Sequence, residues 1–370
     1  MQRFTSWPKN LDPPNRRGRR AKSEADTHRR AGTLDPTIWT ETEARCFLEG
    51  MKAVATLRGS RPLQPLAAEM LDSVRRHVLH ASFELDSLQS CSPVELAANV
   101  QNPRRRLELL HFLVLMPYLE MEIDAEQVAV VDEIADALGL ETDTLTDLHQ
   151  VREGRLKRLL FDYSRRSLSE FAEAESSWEK LKLVTKSVRQ FVGDKHVAER
   201  YQALEGFPEG SLGRTLFCFY RARDFPLPGE KKSFSELLIA HDCCHILGGF
   251  NTDMNGEMDV AGFEAGLFDN GFGFELLLEV ILDFHLGKTF TTLGLLPAGT
   301  GHFDPEAVLR GYERGVVCNV NPIQGWDFWE VANEQVSELR KRYGLPELLG
   351  PILLPPPVAM DTAPEHEHRE

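Results

Sequence analysis

The sequence predicts an all-α protein made of two helical domains. Apolar residues recur at three- and four-residue spacing over long stretches, which is the period of a helix that buries one face. Strand signals, such as strict alternation of apolar and polar residues, are few. At 370 residues and 42% hydrophobic composition, the chain is long enough and apolar enough for two cores.

The first predicted domain covers residues 40–165. Thr40, followed by Glu41 and Glu43, is typical of a helix start, because acidic side chains are favoured in the first turn. Gly139 follows an apolar stripe and is expected to end its helix. The predicted helices cover residues 66–80, 93–98, 104–121, 125–138 and 145–164. A linking helix over residues 166–190 is expected to lead to a second domain over residues 191–347.

Charge is distributed unevenly along the chain. Residues 1–30 carry nine Lys or Arg against three Asp or Glu, a net charge of +6. Since the whole chain has a net charge of −15, the remaining residues carry −21. We predict that residues 1–36 form a disordered basic head and that the Pro-rich residues 351–370 form a disordered tail. The acidic body argues against nucleic acid as a partner. The basic head leaves contact with an anionic membrane surface open.

No apolar run approaches the roughly 20 residues that span a bilayer. The runs over 109–121 and 272–284 are short and carry or adjoin charged residues or histidine, so they are expected to be buried helices. We therefore expect a cytoplasmic protein, with a peripheral position on the inner membrane face as the alternative. A homodimer is also an open alternative.

Residues of metal-binding type are concentrated between positions 241 and 257. On a helix, His241 and His245 lie on one face about 40° apart, and Asp242 extends the arc to about 100°. The turn-rich segment 248–256 should end this helix, and Glu257 should open a second helix that folds back on the first. Imidazole and carboxylate together suit zinc, iron or manganese better than calcium. We predict that His241, Asp242, His245 and Glu257 bind one such divalent metal.

The motif has other interpretations. Two histidines on a helix can simply be satisfied by hydrogen bonds. A metalloprotease is disfavoured, because Asp242 stands where such an enzyme has its general-base Glu. A His-Asp phosphohydrolase stays open but needs further ligands at a distance. Asp253 and Glu264 are candidates to support the ligands from behind, and Glu264 lies seven residues after Glu257 on the same helix face.

The motif His-Asp-x-x-His, then eleven residues, then Glu, resembles the signature of the Coq-four family of ubiquinone (coenzyme Q) biosynthesis proteins. The segment 204–214 is similar to the family's Pro-x-Gly-Thr-Leu-Gly segment, with Ser211 where Thr is usual, and 311–315, 326–330 and 338–345 resemble its closing helices. The resemblance covers about residues 190–347. It implies an all-α domain that holds a metal through His241, Asp242, His245 and Glu257. It also implies polyprenylated benzoquinone precursors as substrates.

A second, weaker resemblance concerns the first domain. The stretch 112–141 is similar to TerB-like domains, named for tellurite resistance, in the residues 120–124 and in Leu138-Gly139-Leu140. The Asp-Gly of that family is replaced here by Glu120-Met121, so metal binding is not carried over. The resemblance implies a helical bundle that mediates contacts.

Two functions follow as expectations. In the first, the protein is a metal-dependent enzyme that replaces the ring carboxyl of a quinone precursor by a hydroxyl, and Phe250, Phe263 and Phe268 line a groove for the polyprenyl tail. These phenylalanines are also typical of an ordinary core. In the second, the protein is a lipid-binding scaffold for other quinone-biosynthesis enzymes, and its metal is structural. The six cysteines show no C-x-x-C pattern, so neither a disulfide framework nor a zinc-thiolate site is expected.

Overall fold

The computed structural model describes residues 39–89, 91–153, 193–233, 236–269, 271–287 and 301–347. Within these ranges the chain forms fourteen α-helices and short 3₁₀ turns, and no strand. One isolated antiparallel bridge joins Ser211 to Gln335. The all-α prediction is confirmed.

The helices of the first half follow the predicted order. Helix α1 begins at Glu41 with the expected cap, since Thr40 and Glu43 each accept a hydrogen bond from the other's backbone. The predicted helix 104–121 is shorter than expected, because Pro117 falls in a 3₁₀ turn, Met116–Leu119, that follows it. The helices are α1 Glu41–Thr56, α2 Pro65–His77, α3 Pro93–Asn99, α4 Pro103–Leu115, α5 Ala125–Leu138 and α6 Asp143–Arg152.

The second half contributes the helices that carry the metal motif. The first of them ends at Gly248, within the predicted turn-rich segment 248–256. Gly249 caps it with a φ of +81°, the left-handed conformation that glycine adopts without strain. The next begins three residues earlier than expected, so that Glu257 lies in its first turn. The helices are α7 Lys195–Gln202, α8 Leu212–Arg221, α9 Ile239–Gly248, α10 Met254–Gly266, α11 Gly271–Phe284, α12 Pro305–Val317, α13 Phe328–Val331 and α14 Val336–Arg342.

Several predicted segments lie outside the described residues. These are the basic head over 1–36, the part of the 145–164 helix beyond 153, the linking helix over 166–190 and the tail over 351–370. Their structures stay predictions.

Helix α10 is buried between two hydrophobic clusters. Its Met258 and Ala265 belong to a cluster that also contains residues of α1 to α6, α11 and α12. Its Val260 and Phe263 belong to a second cluster, built from α7, α8, α9 and residues 318–345. A helix with apolar neighbours on both sides has little freedom to move, so the groups that α10 presents are held firmly.

Residues from the two halves of the sequence pack directly against each other. His77 on α2 lies between two carboxylates of α12, with Nε2 at 3.0 Å from Glu306 and Nδ1 at 2.7 Å from Glu313. The ring of His285 also lies 2.8 Å from the carbonyl oxygen of Leu119. Because the halves share one hydrophobic cluster, the predicted division into two domains is not confirmed.

Helices α10 and α12 cross at unusually close range. A Cβ atom added at Gly262 would overlap the carbonyl oxygen of Val308, and one added at Gly311 would overlap that of Asp259. Beside the crossing, Asp259 is paired with Arg310, whose guanidinium lies 2.7 Å from the carboxylate. The two helices can approach this closely only because both crossing positions lack a side chain.

Within the described part of the chain, no helix combines the length and the apolar character that crossing a bilayer requires.

The carboxyl of Glu108 on α4 is expected to make stability depend on pH. Burial raises its pKa from 4.5 to about 7, although Arg104 and Arg105 act in the opposite direction. Its stabilising contribution is therefore complete below pH 4.5 and is lost as the pH rises toward 7, because only the unfolded chain ionises in that window. Glu108→Gln stays neutral at every pH. Between pH 4.5 and 7, the free energy of unfolding of the variant minus that of the wild type should therefore increase by on the order of 2–3 kcal/mol.

Urea unfolding of both proteins between pH 4.5 and 8 measures this difference. The comparison is needed because burial lowers the pKa of His111, which stacks on Phe274, to about 4, and this gives the wild-type curve an opposite slope. Glu122→Gln removes an exposed carboxylate and is the matched control. A difference between Glu108→Gln and the wild type that stays constant with pH would show that Glu108 ionises normally.

Candidate metal centre

Helix α9 presents two imidazole rings to one point. His241 and His245 are one turn apart, and their rings are nearly perpendicular, with centroids 4.9 Å apart. Their Nε2 atoms lie 3.2 Å from each other. The side chain of His245 is 1% exposed and that of His241 is 29% exposed, so the pair is buried on one side and open to solvent on the other.

The carboxylate of Glu257 completes a group of three. From the first turn of α10, its Oε2 lies 3.6 Å from Nε2 of His241 and its Oε1 lies 3.5 Å from Nε2 of His245. One ligand atom from each of the three residues lies within 4.8 Å of the others. Three of the four predicted ligands are thus brought together, by two helices that the glycine-rich turn reverses.

The fourth predicted ligand, Asp242, is held by a different partner. The hydroxyl of Tyr220 on α8 donates a hydrogen bond to its Oδ2. Asp242 does not belong to the group within 4.8 Å, although its charge interacts with those of His241, His245 and Glu257. Its position is therefore beside the three ligands, and its role as a ligand stays a prediction.

Glu264 supports His241 from behind. Its buried carboxylate lies 2.9 Å from Nδ1 of His241, two turns along α10 from Glu257. When the Nδ1–H group donates a hydrogen bond to this carboxylate, the lone pair of Nε2 is left facing the other ligands. Asp253, the other predicted supporting residue, is exposed and caps α10 by accepting a hydrogen bond from the backbone of Gly256 at 2.8 Å. It thereby fixes the start of the helix that carries Glu257.

Among the described residues, the polar contacts of the His245 ring are all with the ligand group. Its Nδ1 is buried and has no hydrogen-bond partner among the described residues. Its Nε2 is close to both His241 and Glu257. The ring is packed by Phe219, whose centroid lies 5.9 Å away.

Strong charge coupling marks the site. Burial acts to lower the pKa of His241, but the carboxylates of Glu264 and Glu257 raise it well above its usual range. Burial acts to raise the pKa of Glu257, but hydrogen bonds and charge from the two histidines lower it to about 2. For Asp242, burial raises the pKa and the neighbouring histidines oppose it. Each opposite charge thus stabilises the ionised form of its neighbour inside a low-dielectric site.

The donor spacing suits a single small ion. Two donors bound about 2.1 Å from a tetrahedral ion lie about 3.4 Å apart. The two Nε2 atoms are 3.2 Å apart, and each lies 3.5 or 3.6 Å from a different oxygen of Glu257, so the separations are close to that value. Two imidazoles and one carboxylate are a set that zinc enzymes and non-haem iron enzymes use, with further positions left for water or substrate. The residues present therefore fit a bound divalent metal.

Two residues near the site were not predicted from the sequence. One is Tyr220, which fixes Asp242. The other is Arg223, whose Nε donates to Thr252 at 2.7 Å and whose guanidinium lies 4.1 Å over the ring of Phe219. Burial lowers the pKa of Arg223, and the charges of Asp242 and Glu257 oppose this. Neither residue follows from the spacing of the motif, because both belong to α8 and the loop after it.

The three phenylalanines predicted to bind substrate differ in exposure. Phe263 is fully buried and packs on Phe250 at 5.8 Å, while Phe250 and Phe268 are half-buried. None of them lines the cleft of about 740 Å³ that lies beside the start of α9. That cleft is lined by His196, Val197, Arg200, Tyr201, Glu236, Ile239, Ala240, Trp326, Asp327, Phe328 and Trp329.

Aromatic rings form one wall of this cleft. Tyr201 packs edge-on against Trp329 with centroids 5.0 Å apart, and the guanidinium of Arg200 lies 4.4 Å from the Trp329 ring centroid. Ala240, which directly precedes His241, also lines the cleft. Such a surface suits a flat ring better than a strongly hydrated ligand.

Comparison with known proteins identifies no relative of this chain: no family model, no curated protein and no solved structure matches it. The resemblances to the Coq-four and TerB-like families therefore stay predictions. A function for this protein has to be inferred from the geometry of the site.

Proposed function

We propose that the protein is a metal-dependent enzyme that acts on a hydrophobic phenol or quinone precursor. The single observation that carries this proposal is the convergence of His241, His245 and Glu257, with Glu264 orienting His241 from behind. An outer carboxylate that fixes the tautomer of a histidine ligand is a regular feature of metal sites. A bound divalent ion would polarise a substrate oxygen at this point.

The number of protein ligands favours catalysis over a structural role. Structural zinc sites are closed by four protein ligands, whereas catalytic sites have three and keep a position for water or substrate. Here three side chains converge, and Asp242 is drawn toward Tyr220. The exposed side of His241 leaves an approach from solvent. A scaffold with a structural metal remains the second function, favoured if Asp242 closes the site as a fourth ligand.

Arg223 is suited to bind a carboxylate on the substrate. Its guanidinium is fixed by Thr252 and by the Phe219 ring, and it lies within electrostatic reach of Asp242 and Glu257. A fixed guanidinium binds a planar carboxylate through two parallel hydrogen bonds. A ring carboxylate held there would be oriented beside the ligand group, which suits the carboxyl-removing chemistry that the resemblance implies.

The apolar part of the substrate has two candidate surfaces. The half-buried Phe250 and Phe268 adjoin the metal helices in sequence, as the prediction of a polyprenyl groove requires. The cleft beside α9 offers Tyr201 and Trp329 for stacking on a ring. We expect a hydrophobic quinone-like lipid to be the ligand, and the other quinone-biosynthesis enzymes to be partners.

Incubation of the metal-loaded, full-length protein with a prenylated hydroxybenzoate tests this function. With dioxygen supplied as the oxidant, we expect the ring carboxyl to leave as carbon dioxide and a hydroxyl to take its place. Mass spectrometry of the extracted lipids measures the hydroxylated product. Arg223→Gln should raise KM with unchanged metal content, because it removes the carboxylate contact and no ligand. Arg221→Gln is the matched control, since that exposed side chain on the same stretch pairs with Glu230 at 2.7 Å.

Asp242→Asn separates the two functions. If the protein is an enzyme with three ligands, the variant retains its metal and its stability, and any defect is confined to substrate turnover. If Asp242 is a ligand of a structural metal, the variant loses metal and stability together. Two results together would refute the proposal. The metal-loaded wild-type protein would neither bind nor convert the substrate, and cells that lack the protein would have unchanged levels of quinones and carboxylated precursors.

A further inference from the structure

Two cysteines that are distant in sequence meet in the first half of the protein. Cys46 is buried on α1, and Cys91 is half-buried in the segment that leads into α3. Their sulfur atoms lie within 4.8 Å of each other. The sequence led us to expect no thiolate site, because it has no C-x-x-C pair. That expectation missed this pair, which only the packing of α1 against the following segment brings together.

A carboxylate joins the two sulfurs. Glu49 lies three residues after Cys46, on the same face of α1. One ligand atom from each of Cys46, Glu49 and Cys91 lies within 4.8 Å of the others. The carboxylate also accepts a hydrogen bond at 3.0 Å from the backbone of Gln89, in the segment that carries Cys91. This hydrogen bond connects α1, which carries Cys46 and Glu49, to the segment that carries Cys91.

The surroundings of the pair favour a bound cation over thiol–disulfide exchange. Glu49 and Glu95 place negative charge beside the Cys91 thiol. The same two acidic side chains act on Cys46. A redox-active cysteine needs a positive neighbour that stabilises its thiolate. A divalent cation instead supplies that charge itself and is attracted by the acids.

We propose that Cys46, Glu49 and Cys91 form a second metal site, for a thiophilic divalent cation of the zinc type. Binding would release the two thiol protons to solvent and form two metal–thiolate bonds, and the carboxylate would be the third ligand. Water would occupy the fourth position, because Glu49 and Cys91 are only half-buried. The ion would tie α1 to the segment before α3, which closes a long loop of the first half of the protein.

Cobalt titration of the reduced, full-length protein tests this site. Thiolate coordination to Co²⁺ gives a near-ultraviolet charge-transfer band that a site of histidines and carboxylates does not give. We expect the band in the wild type and in His245→Ala, and its loss in Cys46→Ser and Cys91→Ser. Cys218→Ser is the matched control and should retain the band, since this half-buried cysteine lies on α8.

A further variant and one measurement on the oxidised protein complete the test. Glu49→Gln keeps both thiols and the fold, and we expect it to weaken cobalt binding by about 10-fold or more. The absence of a thiolate band in the folded wild type, or its persistence in Cys46→Ser, would overturn the proposal. So would a Cys46–Cys91 disulfide in peptide maps of unreduced protein together with no band after reduction, because the pair would then be a redox couple.

Discussion

Replacing His245 with alanine should remove one equivalent of bound metal from the natively purified, untagged protein. The ring is buried, and its polar side-chain contacts are to His241 and Glu257, the other two members of the group. With one imidazole and one carboxylate left, the affinity for zinc, iron or manganese should fall far below that of the intact set. Elemental analysis of the two proteins side by side measures the loss.

Two further variants make this result interpretable. Glu257→Gln removes a ligand from the other helix while keeping its shape, and it should lose the same equivalent. His302→Ala removes an exposed imidazole outside the group and should retain the metal. An equal metal content in His245→Ala and the wild type, or a well-folded wild type that binds none of the three metals, would rule out this site. The metal that is found selects the chemistry to assay.

Replacing Gly262 with alanine should lower the free energy of unfolding by at least about 3 kcal/mol. The added methyl group would overlap the carbonyl oxygen of Val308, which is backbone and cannot rotate away. Helix α12 would have to shift outward, and extra volume in a well-packed core costs about 1–3 kcal/mol even where side chains can adjust. Gly311→Ala should behave alike, because it meets the backbone of Asp259 from the other helix. Urea unfolding measures both.

The control for this prediction is Gly206→Ala, because a Cβ atom at Gly206 meets nothing within 4 Å and the backbone there does not require glycine. Helix α10 also carries Glu257 and Glu264, so the folded fraction of Gly262→Ala should bind metal more weakly than the wild type. Stability within about 0.5 kcal/mol of the wild type would mean that the two helices separate easily, and that α10 is not held as firmly as its burial indicates.

These two predictions meet in α10. The helix is packed between two hydrophobic clusters, is crossed closely by α12 and carries both carboxylates that face His241. Rigid support of this kind is what a metal site needs, because its ligands must keep their positions before the ion arrives. The packing of α10 therefore contributes both to the stability of the fold and to the geometry of the site.

The sequence by itself determined the local features of this protein. The period of the apolar residues and the glycine after them gave the helix over 125–138 with the bounds that the structure has. The spacing of His241 and His245 was enough to place both on one helix face, and that helix ends within the predicted turn-rich segment 248–256. Each of these features depends on neighbours within one or two helical turns, which is the range that a linear pattern can report.

Tertiary structure alone decided which distant residues meet. Asp242 is adjacent to His241 in sequence, yet the hydroxyl of Tyr220 holds its carboxylate to one side. The close approach of α10 and α12, the position of Arg223 and the meeting of Cys46 with Cys91 join residues from separate helices and loops. Such pairings depend on how helices pack, and the interlocking of side chains that fixes packing leaves no period in the sequence.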